Sequence, residues 1–354
     1  MTPQPLLSVR AVTKHYPVGA GIFSARAVVR AVDDVSFDVH SGETLAIVGE
    51  SGSGKSTVAR MVSGLLSPTT GSVRFKGEEI AGLGNRGLKA LRKRVQMVFQ
   101  DPMASLNGRM KVGAILEEPL IIHGHGDHAQ RRRRVDELLE LVGLRSEHAA
   151  RYPHQFSGGQ KQRIGIARAL AVEPELLVLD EPVSALDVSV QAQIINLLKD
   201  LQRQFGLSYV FIAHDLAVVR NISNRIAVMY LGKIVETGDR EALFRSPAHP
   251  YTRMLVAAVP RVGLHADVPD RQIHGEIPSP VNPPSGCHFH PRCRFRIDQC
   301  AREVPVLTQV NDQYVSCLRA RELPAFEGIG QLDHLTPQAS LRMRRYTERM
   351  SRRG

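Results

Sequence analysis

Apolar positions along this chain follow two rhythms. Residues 6–12 alternate loosely and predict a first strand, and residues 31–39 predict a second that ends at the turn Ser41-Gly42. Residues 43–48 form a short apolar run that reads as a buried strand, and residues 72–75 and 95–99 read as further strands. From 101 to about 172 the rhythm becomes helical; residues 135–142 repeat apolar side chains three and four apart. Residues 176–179 and 209–212 are wholly apolar and bounded by turn signals, as strands of a parallel sheet are. Between them residues 190–205 predict a crossover helix, and residues 226–235, broken by Gly232, predict a late hairpin. Beyond 260 the rhythm stops: eight prolines fall between Pro260 and Pro305, and four cysteines cluster there. The pattern predicts an α/β fold with a mostly parallel sheet, followed by a separate, loop-rich segment.

The stretch Gly49-Glu50-Ser51-Gly52-Ser53-Gly54-Lys55-Ser56-Thr57 fits the phosphate-binding pattern G-x-x-x-x-G-K-[ST] without a mismatch. It lies between the apolar run 43–48 and a helix expected from 58 onward. That places the loop at a helix N-terminus, where free N–H groups and the helix dipole favour phosphate. Its glycines let the backbone curl around an anion. Lys55 is expected to reach the β- and γ-phosphates and Ser56 to place its hydroxyl on Mg²⁺.

Two further patterns gain meaning beside that loop. The apolar run 176–179 ends in Asp180-Glu181. A carboxylate at the end of a buried strand is where Mg²⁺ needs one, so Asp180 is the expected metal residue and Glu181 the expected general base. Phe156-Ser157-Gly158-Gly159-Gln160 leads into the pattern of another helix. It is a second anion site, redundant within one subunit unless it serves a neighbouring one.

At 354 residues the chain has room for one large domain and an appendage. No apolar run approaches the ~18–20 residues that span a bilayer. The opening residues 1–7 lack a basic region followed by an apolar core, so no signal peptide is expected. These features place the protein in the cytosol or on a membrane through partners. Net charge is +11, of which residues 340–354 carry +5, and Arg131 to Arg134 add four charges on one helical turn. With no Trp and few aromatics there is little surface for stacking bases, and no nucleic-acid partner is expected.

The combined motifs resemble an ATP-binding cassette (ABC) transporter nucleotide-binding subunit over about residues 6 to 260. Ser157-Gly158-Gly159-Gln160 matches the family signature, with Phe156 in place of its leading Leu. Lys55 and Asp180 match its two nucleotide motifs. Gln100, 45 residues after Lys55, resembles the Q-loop glutamine, and Ser184-Ala185-Leu186-Asp187 resembles the D-loop. His214, 33 residues after Glu181, resembles the switch histidine, and Tyr16 sits where the family stacks an aromatic on adenine. The resemblance implies a parallel sheet carrying the phosphate loop, an antiparallel β portion and a helical subdomain near 101–170. It also implies two subunits sandwiching two ATP molecules with Mg²⁺. Lys55, Ser56, Gln100, Asp180, Glu181 and His214 then act within one subunit, with Ser56, Gln100 and Asp180 around the metal, and Ser157 to Gln160 act across the interface.

A finer resemblance is to the oligopeptide/dipeptide import branch. Ala31-Val32-Asp33-Asp34-Val35-Ser36-Phe37, Gln100-Asp101-Pro102-Met103-Ala104-Ser105-Leu106-Asn107 and His249-Pro250-Tyr251-Thr252 are its phrases, as are 275–280 and 283–287. Gly108 departs from the Pro that the branch usually has after Asn107. The branch implies peptide uptake through a transmembrane permease, served indirectly by a substrate-binding protein, with this chain at the cytoplasmic face of the membrane and a second cassette that is a copy or a different chain. Nickel or glycoside cargo in the same transporter class is the alternative. A soluble ATPase of the family, acting on ribosomes or DNA, usually carries two cassettes or a coiled-coil insertion, and this chain has neither. Cys287, Cys293, Cys300 and Cys317 lie within 31 residues. As thiolates they suit zinc or a [4Fe–4S] cluster, although the C-x₂-C pairing of common zinc sites is missing; buried free thiols are the other reading. Some members of the branch hold an iron–sulfur cluster there, which makes the cluster the expectation for this chain. His288 and His290 read as loop residues. The expected division is 1–260 for the cassette, 261–325 for the Pro/Cys-rich domain, and 326–354 for a basic tail.

Overall fold

The computed structural model describes residues 4–18, 27–101, 105–259 and 275–326. Residues 260–274 at the start of the Pro/Cys-rich segment, nearly all of the basic tail, and Pro102-Met103-Ala104 lie outside the described residues.

The first strands, β1 (Leu7–Val18) and β2 (Ala27–Val39), pair antiparallel. Next come β3 (Thr44–Val48), α1 (Lys55–Val62), β4 (Thr70–Phe75), β5 (Glu78–Glu79), α2 (Asn85–Arg94) and β6 (Val95–Val98). A helical stretch follows: α3 (Val112–Ile122), α4 (His128–Leu141) and α5 (Gly158–Leu170), with two 3₁₀ turns between the last two. The chain then alternates strand and helix through β7 (Leu176–Asp180), α6 (Val188–Phe205), β8 (Ser208–Ala213) and α7 (Leu216–Ile222). It continues through β9 (Arg225–Tyr230), β10 (Lys233–Asp239), α8 (Arg240–Arg245) and α9 (Pro250–Ala257), and ends in β11 (Thr308–Val310) and β12 (Gln313–Val315).

Two sheets result. The smaller, in order β2-β1-β4-β5, is antiparallel, and the larger runs β11-β12-β10-β9-β3-β8-β7-β6. Strands β6, β7, β8, β3 and β9 are mutually parallel. Their unbroken apolar runs follow from burial on both faces. Successive side chains of one strand enter different cores: Leu45 and Ile47 pack with the small sheet and α1, whereas Ala46 and Val48 pack with the helical side. The same split separates Val210 and Ile212 from Tyr209 and Phe211. Each of these buried Leu, Ile, Val and Phe side chains contributes about 1.5–3 kcal/mol, more than an exposed pair such as Arg10–Asp38 at about 0–1 kcal/mol.

The expected strands, crossover helix and late hairpin are all present. Strand β1 runs six residues beyond the expected end at Val12, because register shifts after Val9 and Val12 break its alternation. The larger correction concerns the Pro/Cys-rich segment. It is not loops alone: β12 pairs antiparallel with β10, so the segment supplies the last two strands of the main sheet. Three-residue strands carry too short an alternation to be recognised in sequence.

Candidate functional site

The phosphate loop joins the buried strand β3 to α1. Gly54 is the N-cap of α1 with φ of 102°, and no side chain caps the helix. A Cβ at Gly54 would meet the carbonyl oxygen of Ala31 at 2.2 Å, so the close approach of β2 requires glycine as the backbone angle does. Lys55 is buried, and its Nζ donates to the carbonyls of Gly49 (2.8 Å) and Glu50 (2.9 Å). Burial lowers its pKa, while Glu181, Asp180 and Glu50 act in the opposite sense. Ser53 Oγ is buried with no protein hydrogen-bond partner.

The carboxyl end of β7 faces this loop. Ser56 Oγ donates to Asp180 Oδ1 at 2.9 Å, which brings together the two oxygen donors expected at Mg²⁺. Burial raises the Asp180 pKa; the Ser56 hydrogen bond opposes this, and the charge of Glu181 adds to it. Glu181 has a φ of 46°, a left-handed conformation uncommon in a residue with a side chain. Its carboxylate Oε2 accepts from Gln100 Nε2 at 3.0 Å and lies 3.1 Å from His214 Nδ1. Three residues from the ends of three strands thus meet at one oxygen. A cleft of about 870 Å³ contains Tyr16, Glu50, Ser51, Gly52, Gly54, Lys55, Ser56, Thr57, Gln100, Glu181 and His214 in its walls. The chain's own residues fit a nucleotide and its metal: a buried ammonium, an uncapped helix N-terminus, an unpaired buried hydroxyl and a hydroxyl–carboxylate pair.

Ser157, Gly158, Gly159 and Gln160 do not line this cleft. They form the N-terminus of α5, closed by a capping box in which Ser157 Oγ accepts from Gln160 N and Gln160 Oε1 accepts from Ser157 N. Ser157 and Gly158 are exposed.

The expectation of an iron–sulfur cluster is not supported. Among the described residues no group of three or more metal-donating side chains is placed to hold an ion. Cys287, Cys293, Cys300 and Cys317 do gather within electrostatic reach of one another. Burial nevertheless pushes the Cys287 thiol up to about 11 and Cys293 up to about 12, and raises Cys317. Burial thus favours the neutral thiol at these three positions.

The Pro/Cys-rich segment, expected to be separate, reaches the phosphate loop. Arg292 grips the Glu50 carboxylate through two hydrogen bonds of 2.7 and 3.0 Å, and Pro280 forms part of the nucleotide cleft. The Tyr251 hydroxyl accepts from Glu50 N at 2.8 Å. No local signal could have exposed these contacts, since Arg292 lies 242 residues from Glu50.

Comparison with known proteins agrees with this geometry. The family model for the ABC transporter matches residues 32–184, and that for the oligopeptide/dipeptide transporter C-terminal region matches residues 235–300. A probable peptide ABC transporter ATP-binding protein, y4tS of Sinorhizobium fredii, is 54% identical over 88% of this chain and 89% of that relative. The dipeptide transport ATP-binding protein DppF of Escherichia coli is 48% identical over 89% of this chain and 94% of its own. Among solved structures, a dimeric cassette, MJ0796, in a post-hydrolysis state with ADP and Pi superimposes with a TM-score of 0.60. It is 32% identical and covers 66% of this chain and 98% of its own. With the phosphate loop, the carboxylates and the signature in this order on this α/β fold, the chain belongs to the ATP-binding cassette family, in the branch that carries the oligopeptide/dipeptide transporter C-terminal region.

Proposed function

We propose that this chain is the ATP-hydrolysing subunit of a membrane importer for oligopeptides or dipeptides. The observation that carries the reading is the meeting of Gln100 and His214 on the Glu181 carboxylate beside the Lys55 and Ser56–Asp180 cluster. Lys55 holds the phosphates, and release from the Gly49 and Glu50 carbonyls frees its donors for them. Mg²⁺, when bound, offsets phosphate charge and fixes its orientation, with Ser56, Asp180 and Gln100 around it. Glu181 accepts a proton from the attacking water, and His214 and Gln100 hold that carboxylate in place. Tyr16 stacks on the base. Most of the rate then comes from positioning and charge stabilisation.

The exposed α5 N-terminus serves the nucleotide of a second cassette, so ATP draws two subunits together and hydrolysis releases them. The relatives' printed names, peptide and dipeptide transport among them, support the cargo. No helix among the described residues is long and apolar enough to cross a membrane. As a member of its family the chain attaches to a transmembrane permease at the cytoplasmic face, with a binding protein delivering cargo on the far side. Residues 1–260 form the cassette, with its helical subdomain near 101–170, 261–325 a Pro/Cys-rich C-terminal domain and 326–354 a basic tail. Glu181→Gln tests the core of the reading. It keeps the shape of the side chain and removes the base, so ATP affinity should persist while turnover falls by about 10²–10⁴. Steady-state hydrolysis near the parent rate would refute the assignment.

A further inference from the structure

We propose that Arg292 is a positioning residue for nucleotide binding, acting through Glu50 to keep the phosphate loop in its binding shape. The inference rests on the reading of that loop as the ATP site. Arg292 is only 3% exposed at its side chain, and its guanidinium makes a two-pronged ion pair with Glu50. The guanidinium lies 5.8 Å from the ring centre of Tyr230 and 5.9 Å from that of Phe289. Phe289 stands edge-on to Tyr230 and tilted against Tyr251, with centroids 5.2 and 5.4 Å away. An aromatic wall thus aims the cation at one carboxylate. The Glu50 hydrogen bond raises the Arg292 pKa further, so the charge is permanent.

Glu50 is the hub of the loop. Its N–H donates to Tyr251, its carboxylate accepts from Arg292, and its carbonyl accepts from both Lys55 Nζ and Ser53 N. Every polar group of this residue is therefore tied, and two of the ties come from outside the loop. When Lys55 lets go of the Glu50 carbonyl for a phosphate, the Arg292 and Tyr251 contacts remain and hold the loop open to the ligand. A loop already ordered adds little entropic cost to binding. The same segment reaches the cleft again at Pro280, whose carbonyl accepts from Arg30 N at 3.3 Å. Without the pair, ATP must reorder the loop itself. The defect should therefore appear in affinity and KM, with the chemistry of the bound complex preserved.

The test uses the full chain and four variants: Arg292→Gln, Arg292→Lys, Glu50→Gln and the double variant R292Q/E50Q. ATP affinity is measured by calorimetry, turnover by steady-state kinetics and folding by thermal melting. Arg292→Gln and Glu50→Gln should each raise Kd and KM about tenfold, and for Arg292→Gln, a change outside the cleft, kcat at saturating ATP should stay within about twofold. Arg292→Lys should recover part of the loss, since it restores charge without the fork. The double variant should be no worse than the poorer single one, as expected of two ends of one contact. Should Arg292→Gln fail to fold, Glu50→Gln, which leaves the buried wall intact, carries the test. Unchanged ATP affinity in a folded Glu50→Gln or Arg292→Gln variant overturns the inference, and so does a loss accounted for entirely by the unfolded fraction. Lys55→Ala separates this failure from failure of the site reading. If Lys55→Ala loses ATP while Arg292→Gln and Glu50→Gln bind normally, only the positioning role falls; if Lys55→Ala binds normally, the ATP site itself is wrong.

Discussion

The two helix N-termini with glycine-rich approaches, at α1 and α5, have opposite designs. Helix α1 has no side-chain cap, opens into a cleft and has a buried lysine in its first turn. Helix α5 caps itself with Ser157 and Gln160, faces solvent and lies outside the cleft. An uncapped N-terminus leaves its N–H groups for a ligand, whereas a self-capped one is stable while it waits. On the proposed reading the first holds nucleotide with this chain's own residues, and the second completes the site of a neighbouring cassette, so one fold carries both.

The sharpest way to break this contrast is to disable each site separately. Lys55→Ala should lower turnover by about 10²–10³ by removing charge from the phosphates, and ATP affinity should fall as well. Normal ATP affinity in that variant would remove the basis for calling α1 the primary site. Ser157→Arg should also stop turnover, but each subunit should keep its own nucleotide affinity. Mixing the two inactive variants then distinguishes the designs. A mixed pair regenerates one site, with Lys55 from one chain and Ser157 from the other. Up to about a quarter of parent activity should return with random pairing of like chains. A mixture as inactive as its components would contradict action across the interface.

A smaller effect concerns stability. Ser157→Ala removes the α5 cap and should destabilise the protein by about 0.5–2 kcal/mol in denaturant titration. No loss of stability would mean that the cap is unimportant in the isolated chain. A separate effect is a pH dependence next to the phosphate loop. His249 caps α9 by accepting from Tyr251 N, and burial lowers its pKa from 6.5 to about 3. The folded state thus holds it neutral while the unfolded state charges it below pH 6.5. Its contribution is full above that pH and is lost as pH falls toward 3. His249→Asn, whose side chain does not titrate, should lose less stability than the parent over that window. Parallel melting curves for the two proteins would show that His249 is not the source.

Much of the cassette was legible because its chemistry is local. Residues 49–57 declare a phosphate loop by spacing alone, and the run ending in Asp180-Glu181 declares a buried strand with carboxylates at its tip. Gln100 and His214 needed the resemblance, because a lone glutamine or histidine at a strand end carries no local meaning. The clustering of four cysteines, read with the resemblance, suggested an iron–sulfur cluster. Among the described residues no group of three donors converges on an ion, and burial disfavours the thiolate at Cys287, Cys293 and Cys317.

By itself, then, the sequence determined the α/β pattern, the phosphate loop, the strand-end acids and a second helix with a glycine-rich N-terminus. Each depends on residues within about a dozen positions of one another, where periodicity and backbone geometry dominate. Tertiary structure alone decided that β11 and β12 complete the main sheet. It also decided that Gln100 and His214 share one oxygen of Glu181, and that Arg292 grips Glu50 across 242 positions. Those contacts exist only once burial on both faces of the sheet has fixed where the strand ends lie, and no local rhythm encodes which distant side chain will be waiting there.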